Sequence, residues 1–217
     1  MVVLDGKHLS LEQAKKVIFE GEKVSVSEES LANVMKSRAA VEKILHEGRI
    51  AYGINTGFGK LSEVRIGERD AEILQVNLIR SHACGVGRPF SEAVARGMML
   101  LRANALLKGY SGVRPILIHY LIELLNRKIH PVVPEQGSLG ASGDLAPLAH
   151  LALVLVGEGE VFYQGERMDS RKALEKERME PLTLKAKEGL ALINGTQAMT
   201  SVGLIALIES QKLAMAA

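Results

Sequence analysis

Residues 114–127 are apolar nearly all round: Ile116, Leu117, Ile118, Leu121, Ile122, Leu124 and Leu125 leave no wide polar face. A helix of that kind sits inside a bundle, because any face turned to water would expose large aliphatic side chains. Its neighbours make the same demand. Ser91 to Lys108 reads as a helix stopped at Gly109, and Leu145 to Val156 as a further buried helix. Hydrophobic residues make up 47% of the chain, enough for a sizeable core, while aromatics are only 4% with no Trp. Abundant Ala and Leu with so few aromatics favour packed helices over a β-sandwich. The 217 residues allow one large domain or two small ones.

The remaining chain reads as follows. Val2–Leu4 is a short strand closed by Asp5-Gly6. Ser10 with Gln13 forms a capping box for a helix to about Glu20. Ser27 starts a second helix with Leu31, Val34, Met35, Arg38, Val41 and Leu45 along one face, ended by Gly48. Tyr52 to Lys60 is a loop whose Gly53, Gly57 and Gly59 permit positive φ. Residues 68–80 form another amphipathic helix, and 131–143 a Pro/Gly-rich loop. Val161-Phe162-Tyr163, Gln164-Gly165 and Glu166-Arg167-Met168 suggest a small hairpin. A charged helix over 171–179 and a loop follow. The last helix begins near Thr196 and reaches Ala217 without a Gly, Asn or Pro stop, so the chain is expected to be the N-terminal part of a longer polypeptide.

Several function classes drop out. Net charge is +2, with basic residues dispersed among acidic ones, so no nucleic-acid footprint is present. Cys84 is the one cysteine, which excludes an internal disulfide and suits a reducing cytoplasm. The N-terminus lacks a basic region followed by an apolar block, and the apolar run Leu145–Val156 is too short to span a bilayer. The six histidines form no i, i+4 pair and no zinc-type cluster. His8, His46, His119, His130 and His150 read as structural or solvent-facing. Gly57-Phe-Gly-Lys60 fails the Walker pattern, and Gly140-Ala-Ser-Gly143 misses the nucleophile-elbow spacing at Asp144.

Within Gly137-Ser-Leu-Gly-Ala-Ser-Gly-Asp-Leu-Ala-Pro-Leu148 the backbone could react with itself. The amide nitrogen of Gly143, uncrowded by a Cβ, can approach the carbonyl of Ala141. Ring closure with loss of water gives an imidazolone. Loss of a second water from Ser142 leaves an exocyclic methylidene, a strong electrophile that no ordinary side chain offers. A helix starting near Asp144 would aim its positive end at such a ring. Taken alone, the same residues also read as a Gly-rich turn capping a helix, with Ser142 or Asp144 as N-cap.

Further motifs accompany this segment in order: Tyr52-Gly-Ile-Asn-Thr-Gly-Phe-Gly59, Asn77-Leu-Ile-Arg-Ser81-His82, Arg102-Ala-Asn-Ala-Leu-Leu-Lys-Gly-Tyr-Ser-Gly112 and Asn194-Gly-Thr-Gln197. Together they resemble the aromatic amino-acid ammonia-lyases along essentially the whole chain, most of all the histidine-specific members. The resemblance implies a mainly α fold, a helical bundle of the ammonia-lyase / fumarase-aspartase-like type, with a short N-terminal strand and a small β-hairpin near 159–168. Residues 1–193 would be an N-terminal lyase domain carrying the prosthetic-group loop, and 194–217 the start of a long central-bundle helix cut short. It implies non-oxidative elimination of ammonia from L-histidine to give trans-urocanate. The cofactor would be a methylidene-imidazolone formed autocatalytically from Ala141, Ser142 and Gly143, without a metal. Tyr52 would be the general base at Cβ. His82 and Asn194 would bind substrate, Asn194 donating from its amide to the imidazolone oxygen or the substrate carboxylate. No nucleic-acid or membrane partner is implied. Full-length members are expected to be cytoplasmic homotetramers, and residues 1–217 alone to have little activity.

Each of these residues also has a plainer reading: Tyr52 as a loop aromatic packed on the core, His82 as a satisfied core histidine, Asn194 as an N-cap ahead of Gly195-Thr196. Two rival functions stay open. One is a tyrosine ammonia-lyase or aminomutase of the same family, since His82 suits a phenol too. The other is a non-catalytic helical scaffold.

Overall fold

Ser10 and Gln13 close the capping box that their spacing predicts. The Ser10 N–H donates to Gln13 Oε1 (2.9 Å) and the Gln13 N–H to Ser10 Oγ (3.2 Å), starting α1 (Leu11–Glu20). The computed structural model of the chain describes residues 1–57, 59–61, 64, 66–140 and 143–216. Helix α1 is the crossover between β1 (Val2–Leu4) and β2 (Val24–Val26), which pair in parallel from Val2↔Val24 to Leu4↔Val26. The sequence reading had only the first of these strands. Next come α2 (Glu28–His46), a 3₁₀ turn at Gly59–Leu61, α3 (Glu68–His82), β3 (Val86–Pro89) and α4 (Glu92–Leu106). They are followed by α5 (Pro115–Asn126), β4 (His130–Pro131), β5 (Pro134–Gln136) and α6 (Leu145–Leu155). The chain continues through β6 (Glu160–Tyr163), β7 (Glu166–Asp169), α7 (Ser170–Lys176), α8 (Glu188–Ile193) and α9 (Gln197–Ala216). The fold is mainly α, as expected, and the hairpin β6–β7 falls where Gln164-Gly165 predicts it, with Tyr163↔Glu166 flanking the turn.

Helices α4, α5 and α6 form the centre. Met98, Met99, Leu100, Leu117, Ile118, Leu121, Leu148 and Leu151 are all fully buried. Helix α4 lies within the core and carries two guanidiniums with it. Arg96 Nε donates to the carbonyls of Val17 (3.2 Å) and Ile18 (3.1 Å) in the last turns of α1. Its Nη1 donates to Leu125 O (3.4 Å) at the end of α5 and to His130 Nε2 (2.9 Å). These are the carbonyls a helix leaves without intrahelical partners, so one buried side chain closes two helix ends. Accepting at Nε2 leaves His130 to donate from Nδ1 to Glu92, and burial pushes its pKa down.

Several expectations need correction. Met35 is exposed, although Val34, Arg38 and Val41 beside it on α2 are buried. The 131–143 loop contains strand β5 and part of β4. Helix α3 runs two residues past 80, to His82, and α7 ends at Lys176 rather than 179. The supposed loop before Thr196 holds α8. That short helix is anchored at its first residue, where the fully buried Glu188 carboxylate accepts from Arg114 Nε and Nη2 (2.8 Å each) and from the Arg114 (3.0 Å) and Lys185 (2.7 Å) amides. By length and composition Glu188–Ala216 is apolar enough to cross a membrane, unlike the shorter run the sequence reading considered. The stretch is broken between α8 and α9, and α9 lies along α4 with Ala198, Ser201 and Ile208 buried.

Gly97 marks the closest approach of α4 and α9. A Cβ there would fall 2.2 Å from Ser201 Oγ, whose hydroxyl donates to Val94 O at 2.8 Å. Gly97→Ala gains about 1 kcal/mol of helix propensity. Overpacking of this kind costs about 1–3 kcal/mol, so a net loss is expected. Adding Ser201→Ala removes the obstructing oxygen and should reverse most of that loss. Urea midpoints of the single and double variants check both signs.

Candidate active site

The segment between β5 and α6 folds back on the side chain of Asp144, which is buried. Asp144 Oδ1 accepts from the Leu139 N–H (3.1 Å) and Oδ2 from the Ser138 hydroxyl, while Ser138 Oγ accepts from the Gly140 N–H (3.1 Å). Gly140 (φ 62°) and Gly143 (φ 78°) both take the left-handed conformation that favours glycine. Of the three ring-forming candidates the structure places Gly143; Ala141 and Ser142 lie outside the described residues. Asp144 holds the N-cap position of α6, yet its side chain makes no capping hydrogen bond, because it faces the loop instead. The Asp144 side chain therefore does not cap α6, and the positive end of that helix opens beside Gly143.

Asn194 sits directly against this loop. Its Oδ1 lies 2.8 Å from where a Cβ on Gly143 would be, so no side chain fits at 143. The N-cap reading of Asn194 fails. Asn194 ends α8, its N–H donating to Leu190 O (2.9 Å), and its side chain points across to a loop fifty residues upstream. The next carbonyl, Gly195 O, accepts from the Asp144 N–H (3.2 Å). Behind them Arg102, 4% exposed, reaches Ala191 O with Nη2 and Gln197 Oε1 with Nη1 (2.6 Å). Burial alone pushes its pKa down, to about 10.

His82 is the last residue of α3. Its Nδ1 lies 2.8 Å from Leu78 O and 3.0 Å from Ser81 Oγ. A carbonyl only accepts, so Nδ1 carries the proton and Nε2 of the neutral ring keeps a lone pair. The turn after His82 is stapled to the loop. Val86 pairs with Gln136, a Cβ on Gly137 would lie 3.1 Å from Gly85 Cα, and the Gly85 N–H donates to His150 Nε2 (3.0 Å). His82 and the segment entering the loop are thus held at one end of the bundle.

A cavity of about 400 Å³ opens beside His82, lined by Ser81, Leu78 and Asn77 of α3, by Gly57 of the glycine loop and by Val64 and Ile66 just after it. Asn55 shapes that loop: its Oδ1 accepts from the Ala51 N–H (2.9 Å), its Nδ2 donates to Arg49 O (2.7 Å), and its carbonyl accepts from the Ile66 N–H (2.9 Å). Tyr52 opens the same loop, 61% exposed and outside the lining of the cavity. The structure therefore joins Gly143 with Asn194 and His82 with the glycine loop. Sequence reasoning missed the roles of Asp144, His150 and Arg102; for Asp144 and Arg102 the one signal available was membership of the matched motifs.

A family model for aromatic amino acid lyases matches residues 9–217. The chain belongs to the aromatic amino acid lyase family. It is 62% identical, over 99% of its length, to a histidine ammonia-lyase of Geobacillus thermodenitrificans. Among solved structures it superposes on a histidine ammonia-lyase from Trypanosoma cruzi with a TM-score of 0.91, at 40% identity over 98% of the chain and 41% of that structure. A tyrosine aminomutase from Streptomyces globisporus matches with a TM-score of 0.88, at 43% identity over 94% of the chain and 38% of that structure. The chain spans 42% of the length of the Geobacillus relative.

This lyase chain should lose stability in mild acid through His150. Burial lowers its folded pKa, so the unfolded chain takes up the proton first, near pH 6.5. The contribution is fully present above about pH 6.5 and is lost as pH falls from there through the lowered folded value. His130, lowered likewise, titrates in the same window, so the His150 part is the difference between parent and His150→Gln. Gln still accepts from Gly85 but does not titrate. Unfolding midpoints between pH 5 and 7.5 should fall less steeply in His150→Gln than in the parent.

Proposed function

We propose that the protein containing this chain eliminates ammonia from L-histidine to give trans-urocanate, on a methylidene-imidazolone formed autocatalytically from Ala141, Ser142 and Gly143. The observation that carries this reading is the seating of Asn194 against a left-handed Gly143 in a loop drawn tight by Asp144. The residues present fit the group: Gly143 has no room for a side chain, and its backbone is already turned away from ordinary extended or helical geometry. When formed, the group supplies the electrophile that makes the amino group of the substrate a better leaving group.

The chain's own residues do the rest. Tyr52, reacting as the phenolate, takes the Cβ proton on its oxygen and becomes the neutral phenol, and its exposure at the loop start leaves it accessible to substrate. His82, proton on Nδ1, presents Nε2 as an acceptor for the substrate ring N–H. Asn194 donates from its amide to the imidazolone oxygen or the substrate carboxylate, and the amides at the start of α6 favour negative charge beside Gly143. Residues 1–193 would form the domain that carries the loop, and 194–217 the start of a central-bundle helix. The exposed apolar side chains of α9 (Met199, Val202, Leu207, Leu213, Met215) would be covered in a cytoplasmic homotetramer. The lone pair of His82 accepts from a phenol O–H equally well, which keeps tyrosine elimination or amino-group migration as the second reading.

In the full-length protein, Ser142→Ala should keep the fold but, having no side-chain hydroxyl to eliminate, form no methylidene in the peptide spanning 141–143 and abolish urocanate formation. Asn194→Ala should lower kcat by about a hundredfold, the effect of removing a preorganised donor. Rates on histidine and tyrosine decide the substrate, and faster turnover of tyrosine would overturn the assignment to histidine.

A further inference from the structure

Arg102 poses a physical question that packing does not answer. A buried charge is costly unless paired, and an apolar side chain of similar volume inside a core is often neutral or stabilising by comparison. Yet α4 carries this guanidinium into the core, where Nε is buried without a hydrogen-bond partner among the described residues. Its two other nitrogens have specific targets. Nη2 donates to Ala191 O in the last turn of α8, and Nη1 to Gln197 Oε1 at the first residue of α9. The chain between those points is Asn194-Gly195-Thr196. It passes so close that a Cβ on Gly195 would fall 2.3 Å from Nη1 and 2.1 Å from Gln197 Oε1. One planar cation therefore bridges the end of one helix and the start of the next. The peptide crossing it presents Asn194 to Gly143 and Gly195 O to the Asp144 N–H.

We propose that Arg102 is a positioning residue for the lyase site: by bridging α8 and α9 across Gly195 it sets Asn194 against Gly143 and fixes the carbonyl that anchors the loop at Asp144. The inference rests on the functional reading above, in which the loop forms the prosthetic group and Asn194 serves it. A lysine cannot substitute, because its ammonium is a single point on a flexible stem, whereas the guanidinium fork spans two acceptors at fixed separation. Gln197 is the matching half of the device. Its side chain is needed as an acceptor, not for its volume.

The test uses the full-length enzyme with Arg102→Lys, Gln197→Met, the double variant and Gln197→Glu. Three quantities are read: the fraction of chains that have lost two waters in the 141–143 peptide, kcat per such chain, and KM for L-histidine. Normalising kcat to ring-bearing chains separates positioning from simple loss of folded protein. Each of Arg102→Lys and Gln197→Met should reduce the ring-bearing fraction and lower kcat per ring-bearing chain by about tenfold to a hundredfold, the scale of a small misplacement transmitted to a reacting group. KM should move far less. The double variant should be no worse than the poorer single one, because both break one bridge. Gln197→Glu keeps an acceptor for Nη1 and should stay close to the parent. Unchanged ring formation and kcat per ring-bearing chain in both single variants would overturn the proposal, as would additive losses in the double. Should Arg102→Lys fail to fold, the half-buried Gln197→Met carries the same test. A parent enzyme that releases no ammonia from histidine refutes the functional reading instead, and that is seen before any substitution is made.

Discussion

Two guanidiniums inside α4 spend most of their hydrogen bonds on the ends of other helices. Burying helices is inexpensive along their sides and expensive at their termini, where backbone carbonyls lack intrahelical partners. Arg96 closes α1 and α5, and Arg102 closes α8 while holding the start of α9. The hydrophobic core could tolerate some sliding of these helices, since aliphatic contacts are not directional. The arginine contacts cannot, because each bonded donor must meet a particular acceptor. The placement of α8 and α9 around α4 thus follows from satisfying polar groups in a dry interior, and the position of Asn194 follows from that placement.

The loop from 137 to 144 is held from three directions by interactions of different kinds. Backbone pairing of β3 with β5 fixes its entry, and the His150–Gly85 hydrogen bond locks that pairing to α6. Asp144 draws Ser138 and Leu139 toward the helix start. Asn194 and Gly195 close the third side. A backbone that is to cyclise as proposed must be brought into a conformation that a free chain rarely visits, and strain of this sort persists only where its surroundings over-determine it. Segments far apart in sequence supply that over-determination here, through α3, α6 and α8.

What could be read in the sequence follows the range of the interaction. The capping box at Ser10-Gln13, the helix beginning at about Ser91, the all-round apolar α5 and the turn at Gln164-Gly165 are decided within a few residues, and each appears where expected. Strands β2 and β3 were not legible, since they are three or four residues long and exist through partners more than twenty residues away. Helix α8 is too short to show periodicity and depends on Glu188 meeting Arg114. Met35 fits the helical stripe of α2 but is exposed, because the stripe is wider than the surface that covers it. At the site, Gly143 stands out from the backbone chemistry of its own segment, whereas Asn194 and His82 are named only through resemblance; no local pattern says that residue 194 touches residue 143.

Asp144 shows why local rules fail at such a place. As the residue before an apolar helix it reads as an N-cap, a role worth about 1 kcal/mol. The structure sets that against hydrogen bonds from the Ser138 hydroxyl and the Leu139 amide to the same carboxylate. Hydrogen bonds to a charged group contribute about 1.5–3 kcal/mol each, and burial of Asp144 makes leaving the carboxylate unpartnered still more costly. The loop wins the competition by energy, and the Asp144 side chain leaves the helix start as a consequence. Both results serve the same chemistry: the loop is tightened around the residues proposed to cyclise, and the amides at the start of α6 are not taken up by the aspartate beside Gly143.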